Sequence, residues 1–204
     1  MRDRVVPHQR HTPKVRRYDS GSMTRPLVVT FQAGATGAWS IEYLEAVTGD
    51  VVPAAARLEV AEGRARGGAK AAWTLKGFTS NERYVERPER VALTAVQQPL
   101  GRPEATCAAL IPIRKSEAWW ELTQDERREI FEQRSYHVAV GLEYLPAVAR
   151  RLHHSRDLGE EFDFLTWFEY APAHSKAFEE LVDRLRHTEE WSFVEREVDI
   201  RLRR

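Results

Sequence analysis

The apolar pattern of this chain changes period once, near residue 120, and that change sets the class of fold open to it. Before it, apolar and β-branched residues come in short runs closed by Gly, Pro or polar turns. After it, runs at helical spacing alternate with runs of strand character. In the first part PLVVTFQAG (26–34), GAWSIEYLEAVTG, AAWTLKGFTS, RVALTAVQQ and TCAALIPIRKS (106–116) read as strands. AAARLEVAEGRARGGAKAA reads as a weak strand and then a flexible loop. NERYVERPE reads as a turn or short helix ending before Pro88.

The second part opens on a capping box, Thr123 with Glu126, which predicts a helix from Gln124. Ile130, Phe131, His137 and Val138 fall on one face of it. Gly141 and Pro146 then interrupt the pattern, and PAVARRLHH reads as a second helix from Pro146. DFLTWFEYA (163–171) reads as a strand. SKAFEELVDRLRH reads as an amphipathic helix with Phe178, Leu181, Val182 and Leu185 inward, and SFVEREVDIRLRR as a closing strand. The expected class is α+β with an antiparallel sheet, ferredoxin-like in its second half. Two such sheets packed face to face would form an α/β barrel. This divides the chain into a basic tail (1–25), a truncated ferredoxin-like half (26–105) and a second ferredoxin-like half (106–204), with no clear sequence repeat between the halves.

Charge and cysteine content remove several functions. The 31 basic residues are balanced by 31 acidic ones, which argues against a general nucleic-acid binder. No apolar run approaches the roughly 20 residues of a membrane helix. Cys107 is the only cysteine, so neither an intramolecular disulfide nor a thiolate metal cluster can form within one chain. The first 23 residues lack the apolar segment of a secretory signal. The expected location is the cytoplasm, and the tail reads as disordered or as an artefact of the start rather than as a nucleic-acid arm.

Of seven histidines, only His137 falls mid-helix on an apolar face. By pattern it is either a satisfied core histidine or an axial ligand to a haem iron or another buried metal. His153 and His154, adjacent on a helix, would point about 100° apart and could not easily share one metal. Arg150 follows His137 by 13 residues. On one straight helix that is about 20 Å away on nearly the opposite face, so the two flank one ligand only if the chain bends, and Gly141 and Pro146 supply a bend. Trp119 and Trp120 either cover core and edge or wall an aromatic pocket. The pairs Glu160–Glu161 and Glu189–Glu190 read as solvated surface.

Several separated stretches together resemble the chlorite dismutase family, most closely its short, dimeric branch. They are WTLKGFTSNERY, RPEATCAALIPIRKSEAWWELTQDERREIFE, HVAVGLEYLPAVARRLHHSRDLGEEFDFLTWFEYAP and TEEWSFVEREVDIRL. The likeness runs from about residue 28 to the C-terminus, outside the Ala/Gly-rich loop near residues 53–71. It implies a homodimer that binds haem b between an antiparallel sheet and its helices. It implies His137 as the haem ligand, Glu190 as the carboxylate on the imidazole's far nitrogen, and Lys115 as that carboxylate's partner. Arg150 matches the distal arginine, and Trp119 and Trp120 the tryptophan pair beside the porphyrin.

The implied reaction converts chlorite, a small anion, to chloride and dioxygen through a ferryl state and recombination with a hypochlorite-level fragment. Glu190 would fix the imidazole tautomer and push electron density toward iron. Lys115 would keep Glu190 ionised, and Arg150 would hold the oxyanion. Two other activities fit the wider resemblance: a coproheme decarboxylase of haem biosynthesis, against which Arg150 argues, and a haem peroxidase or haem-binding protein, for which no general base is evident.

Overall fold

A computed structural model describes residues 27–63, 70–79 and 84–204. The tail, the Gly-rich stretch 64–69 and residues 80–83, the last three of which open NERYVERPE, lie outside the described residues. Among the described residues eight strands appear in the order β1 (Val28–Gly34), β2 (Trp39–Thr48), β3 (Arg57–Glu62), β4 (Trp73–Phe78), β5 (Cys107–Lys115), β6 (Val148–His154), β7 (Phe164–Tyr170) and β8 (Val194–Arg203). They close into one antiparallel barrel ordered β1-β3-β2-β8-β5-β7-β6-β4. The first four strands therefore run β4-β1-β3-β2, and the last four β8-β5-β7-β6. This is one four-strand order used twice, without helices between the strands of the first use. The expected α+β barrel is thus formed by one chain.

The two sheets join unequally. β2 and β8 pair over seven positions, whereas β4 meets β6 only at Phe78–His154. Gly77 sits at this thin seam because nothing larger fits there. A Cβ on it would come within 2.7 Å of His153 Cβ and 2.9 Å of Ser155 Oγ.

Strand alternation sends each sheet's side chains to two places. Phe31, Trp39, Leu58, Leu75, Leu110, Trp167 and Ile200 fill the barrel. From the outer face of the second sheet, Ala109, Ile111, Ile113 and Phe168 meet helix α5 (Ser175–Arg186) through Phe178, Leu181, Val182 and Leu185. A smaller core joins α1 (Arg87–Val96) to α4 (His137–Tyr144) through Leu93, Val138 and Leu145.

Three expectations are corrected. RVALTAVQQ is not a strand but most of α1. Pro88 lies in the helix's first turn, where its missing N–H costs nothing, and Glu86 and Glu89 form a capping box. PAVARRLHH is not a helix but carries strand β6. Its side chains alternate faces and it pairs with β7 over seven positions, so an open sheet edge overrides local helix propensity. This strand completes the β-α-β-β-α-β order of the second half. Finally, no single helix runs from Gln124 through His137. α3 (Gln124–Arg128) widens into a π-helical segment, Glu129–Arg134, and ends where Tyr136 takes a left-handed conformation at φ 53°. His137 therefore begins a helix instead of lying inside one, and Gly141 is an ordinary residue within it.

Candidate active site

The break at Tyr136 aims His137. The Glu132 carboxylate turns back to accept the N–H groups of Val138 (2.6 Å) and Ala139 (3.3 Å), capping α4 from the preceding turn. The strained Tyr136 backbone at this junction holds the imidazole at the mouth of the new helix. The His137 ring stacks on Phe131, with centroids 4.4 Å apart. Its Nδ1 lies 2.7 Å from Glu190 Oε2. Nε2 is then the ring nitrogen left for the cavity that His137 lines.

The local pattern alone puts Glu190 on the solvated surface, whereas the family resemblance puts it against the imidazole. It is 5% exposed, on a one-turn helix, Glu189–Phe193, between α5 and β8. Its Oε1 accepts from Lys115 Nζ at 2.9 Å, and its backbone N–H donates to Ser135 Oγ. Lys115, at the end of β5, is 4% exposed and also donates to the Glu190 carbonyl at 3.1 Å. Burial pushes the Glu190 carboxyl up, but the Lys115 ammonium and the His137 imidazole outweigh it and hold the pKa at about 2. Three residues from three elements thus form one chain, Lys115–Glu190–His137.

The chain ends at a cavity of about 340 Å³ between the second sheet and its helices. Ile111, Ile113, Leu152, Phe168, Leu145 and Leu181 give it apolar walls. The helix layer contributes His137 and the sheet layer contributes Arg150. The chain turns back between Tyr144 and Ala147 into β6, and this reversal, not a bend in one helix, brings Arg150 to the cavity. Gln97, just past α1, donates to the Arg150 carbonyl at 3.0 Å. His153 and His154 point to opposite faces of the strand, His153 against Phe31 inside the barrel and His154 into the cavity. No sequence signal marked His154, because its placement depends on β6 being a strand.

The two tryptophans of α2 (Glu117–Glu121) part company. Trp119 lines the cavity with Lys115 Nζ 4.7 Å from its ring centroid. Trp120 turns away, donating to Asp163 Oδ2 at 3.2 Å beneath the guanidinium of Arg156. Buried Arg127 ties the pair down by donating to both of their backbone carbonyls.

These residues fit an iron porphyrin. Among the described residues no three His, Cys, Asp or Glu side chains gather to hold a metal, and a porphyrin iron, which carries four ligands of its own, asks the protein for no more than one imidazole such as His137. Trp119 Nε1 is buried without a hydrogen-bond partner among the described residues. An unpaired donor thus belongs to a side chain that lines the cavity.

An antiparallel barrel with such a cavity between one sheet and its helices, walled by one carboxylate-backed imidazole and one guanidinium, defines an α+β barrel protein with a candidate ligand site on the outer face of its second sheet. Residues 53–202 match the family model for chlorite dismutase, and the chain belongs to that family. The crystal structure of a dimeric chlorite dismutase from Nitrobacter winogradskyi is 59% identical, with a TM-score of 0.80 over 86% of this chain and 99% of that one. A chlorite dismutase from Candidatus Nitrospira defluvii, solved with imidazole, shares the fold at 18% identity and a TM-score of 0.60, covering 89% and 93% of the two chains. The chlorite dismutase of Ideonella dechloratans is 39% identical over 62 residues, 30% of this chain and 20% of that protein. That match spans about a fifth of the curated relative's length.

Proposed function

We propose that this chain is a haem b-dependent chlorite dismutase that converts chlorite to chloride and dioxygen, and that it acts as a homodimer like its Nitrobacter relative. One observation carries the reading: the buried Lys115–Glu190–His137 chain ends at the cavity that Arg150 also lines.

Haem b, when bound, supplies the iron at which the O–Cl bond of chlorite is broken and the O–O bond is made. His137 would hold that iron through Nε2, and Trp119 would offer its indole N–H to the porphyrin's edge. Glu190 accepts from Nδ1–H, which fixes the tautomer and makes the imidazole a stronger donor. Lys115 keeps Glu190 anionic, so the proton stays on Nδ1.

Arg150 has a different task. The reaction consumes and releases no net proton, so a side chain that never gives up its charge suits it better than an acid or base. Its guanidinium attracts chlorite into an apolar cavity, where a charge interaction is strengthened. It then retains the chlorine-bearing fragment until the second bond forms. The apolar walls exclude water that would carry the fragment away.

The test is an oxygen-electrode assay of the purified, haem-loaded protein with chlorite. One dioxygen per chlorite, with a Soret band in the loaded protein, supports the reading. A loaded protein that evolves no oxygen refutes the activity, and one that takes up no haem refutes the site.

A further inference from the structure

The end of β5 raises a separate question: what aims Lys115 at Glu190? The pairing of β5 with β8 slips by one residue between Arg114 and Lys115, the extra residue, Glu195, lying on β8. On the other edge of β5, Asp163 just ahead of β7 takes over. Its N–H donates to the Ile113 carbonyl at 2.9 Å. At the register of this pair a regular antiparallel ladder would next offer the Phe162 carbonyl to Lys115, but the bond from Asp163 to Ile113 has already left that register, and the Asp163 carbonyl faces the N–H groups of Ser155 (2.9 Å) and Arg156 (3.3 Å). A side chain supplies the acceptor instead: Asp163 Oδ2 accepts the Lys115 N–H at 2.8 Å. The same oxygen takes the Trp120 indole, while Oδ1 takes Arg156 at 3.1 Å. Asp163 is 4% exposed, and a buried carboxylate with three donors from three elements is a fixed point.

We propose that Asp163 is a positioning residue for the reaction. By supplying the acceptor for the Lys115 N–H at the end of β5 it sets the direction of Lys115, and through Lys115 the hold on the Glu190 carboxylate and the donor strength of His137. The same carboxylate draws Trp120 out of the cavity and leaves Trp119 as its wall. Asp163 has no place on the cavity surface and touches none of the reacting groups; its influence passes through the Lys115 backbone.

This inference rests on the haem reading, and its test separates the two. The ferric/ferrous midpoint potential of the haem-loaded protein is measured for wild type, Lys115→Ala, Asp163→Ala, Asp163→Asn, Trp120→Phe and the Lys115→Ala/Asp163→Ala double variant. Asp163→Ala should raise the potential by at least half as much as Lys115→Ala, and the double variant should rise no further than Lys115→Ala alone. Asp163→Asn keeps an oxygen that can accept the Lys115 N–H, so it should return most of the shift. Trp120→Phe, which leaves that bond intact, should not move the potential. A role confined to stability would lower the melting temperature of Asp163→Ala at unchanged potential, and that result overturns the proposal. Should Asp163→Ala fail to fold, an Asp163→Asn shift as large as that of Lys115→Ala overturns it equally. A wild-type protein that takes up no haem overturns the haem reading instead.

Discussion

His137 and Glu190 are 53 positions apart, yet Nδ1 of one lies 2.7 Å from Oε2 of the other, and the carboxylate is almost wholly buried. A buried anion accepting from an imidazole shares the proton toward itself and enriches the ring. Replacing Glu190 by Gln keeps the shape and removes the charge. The haem-loaded Glu190→Gln protein should show a ferric/ferrous potential raised by tens of millivolts and a weakened iron–histidine stretch in resonance Raman spectra. An unchanged potential would mean that the carboxylate does not tune the ligand.

Arg150 makes the opposite kind of prediction, because it lines the cavity from the sheet layer while His137 lines it from the helix layer. Arg150→Ala should bind haem as wild type does, with the same Soret band. Chlorite turnover should fall about a hundredfold, the scale for losing one preorganised charge at a reacting anion. Bleaching of the haem per turnover should rise as the retained fragment escapes. Full turnover without added bleaching would remove Arg150 from the mechanism.

Much of this site was legible in sequence only through family likeness, and the reasons are physical. The barrel class followed from strand runs and a change of period, since each run is long enough to show its alternation. β6 was misread because VARRLHH has good helix formers, and nothing local reveals that β7 offers it an open edge. The break before His137 was invisible because the π-helical turn at Glu129–Arg134 preserves apolar spacing on both sides of it. Glu190 looked like half of a surface acidic pair, since its burial depends on Lys115, 75 positions earlier. Asp163 carried no pattern at all, because its carboxylate meets the Lys115 N–H, 48 positions earlier, only once β5 and β7 lie side by side.

The seam between β4 and β6 yields a prediction about stability. Gly77→Ala places a methyl group within 2.7 Å of His153 Cβ, an atom fixed to the β6 backbone, with the His154 carbonyl oxygen 3.3 Å away. Overpacking of this kind costs about 1–3 kcal/mol. The urea midpoint should fall accordingly with no change in the slope of the transition, whereas an unchanged midpoint would show that the seam opens freely.

Acid should destabilise the fold in two windows. Burial inside the barrel pushes the His153 imidazole down from 6.5 to about 4, partly opposed by its bond to the Leu165 carbonyl at 3.0 Å. The unfolded chain therefore binds this proton at a higher pH than the folded one, and stability drains away as pH falls from about 6.5 toward 4. Glu190 acts lower. Its folded value of about 2 against an ordinary 4.5 gives a contribution that is complete above 4.5 and is lost as pH falls through 2. His153→Phe, at a site already packed against Phe31 with a ring distance of 5.2 Å, should flatten the upper window and leave the lower one in place. Glu190→Gln should do the reverse. Urea unfolding at half-unit steps from pH 7 to 3 separates the two. A His153→Phe protein that still loses stability steeply between pH 6.5 and 4 would assign that window to other groups.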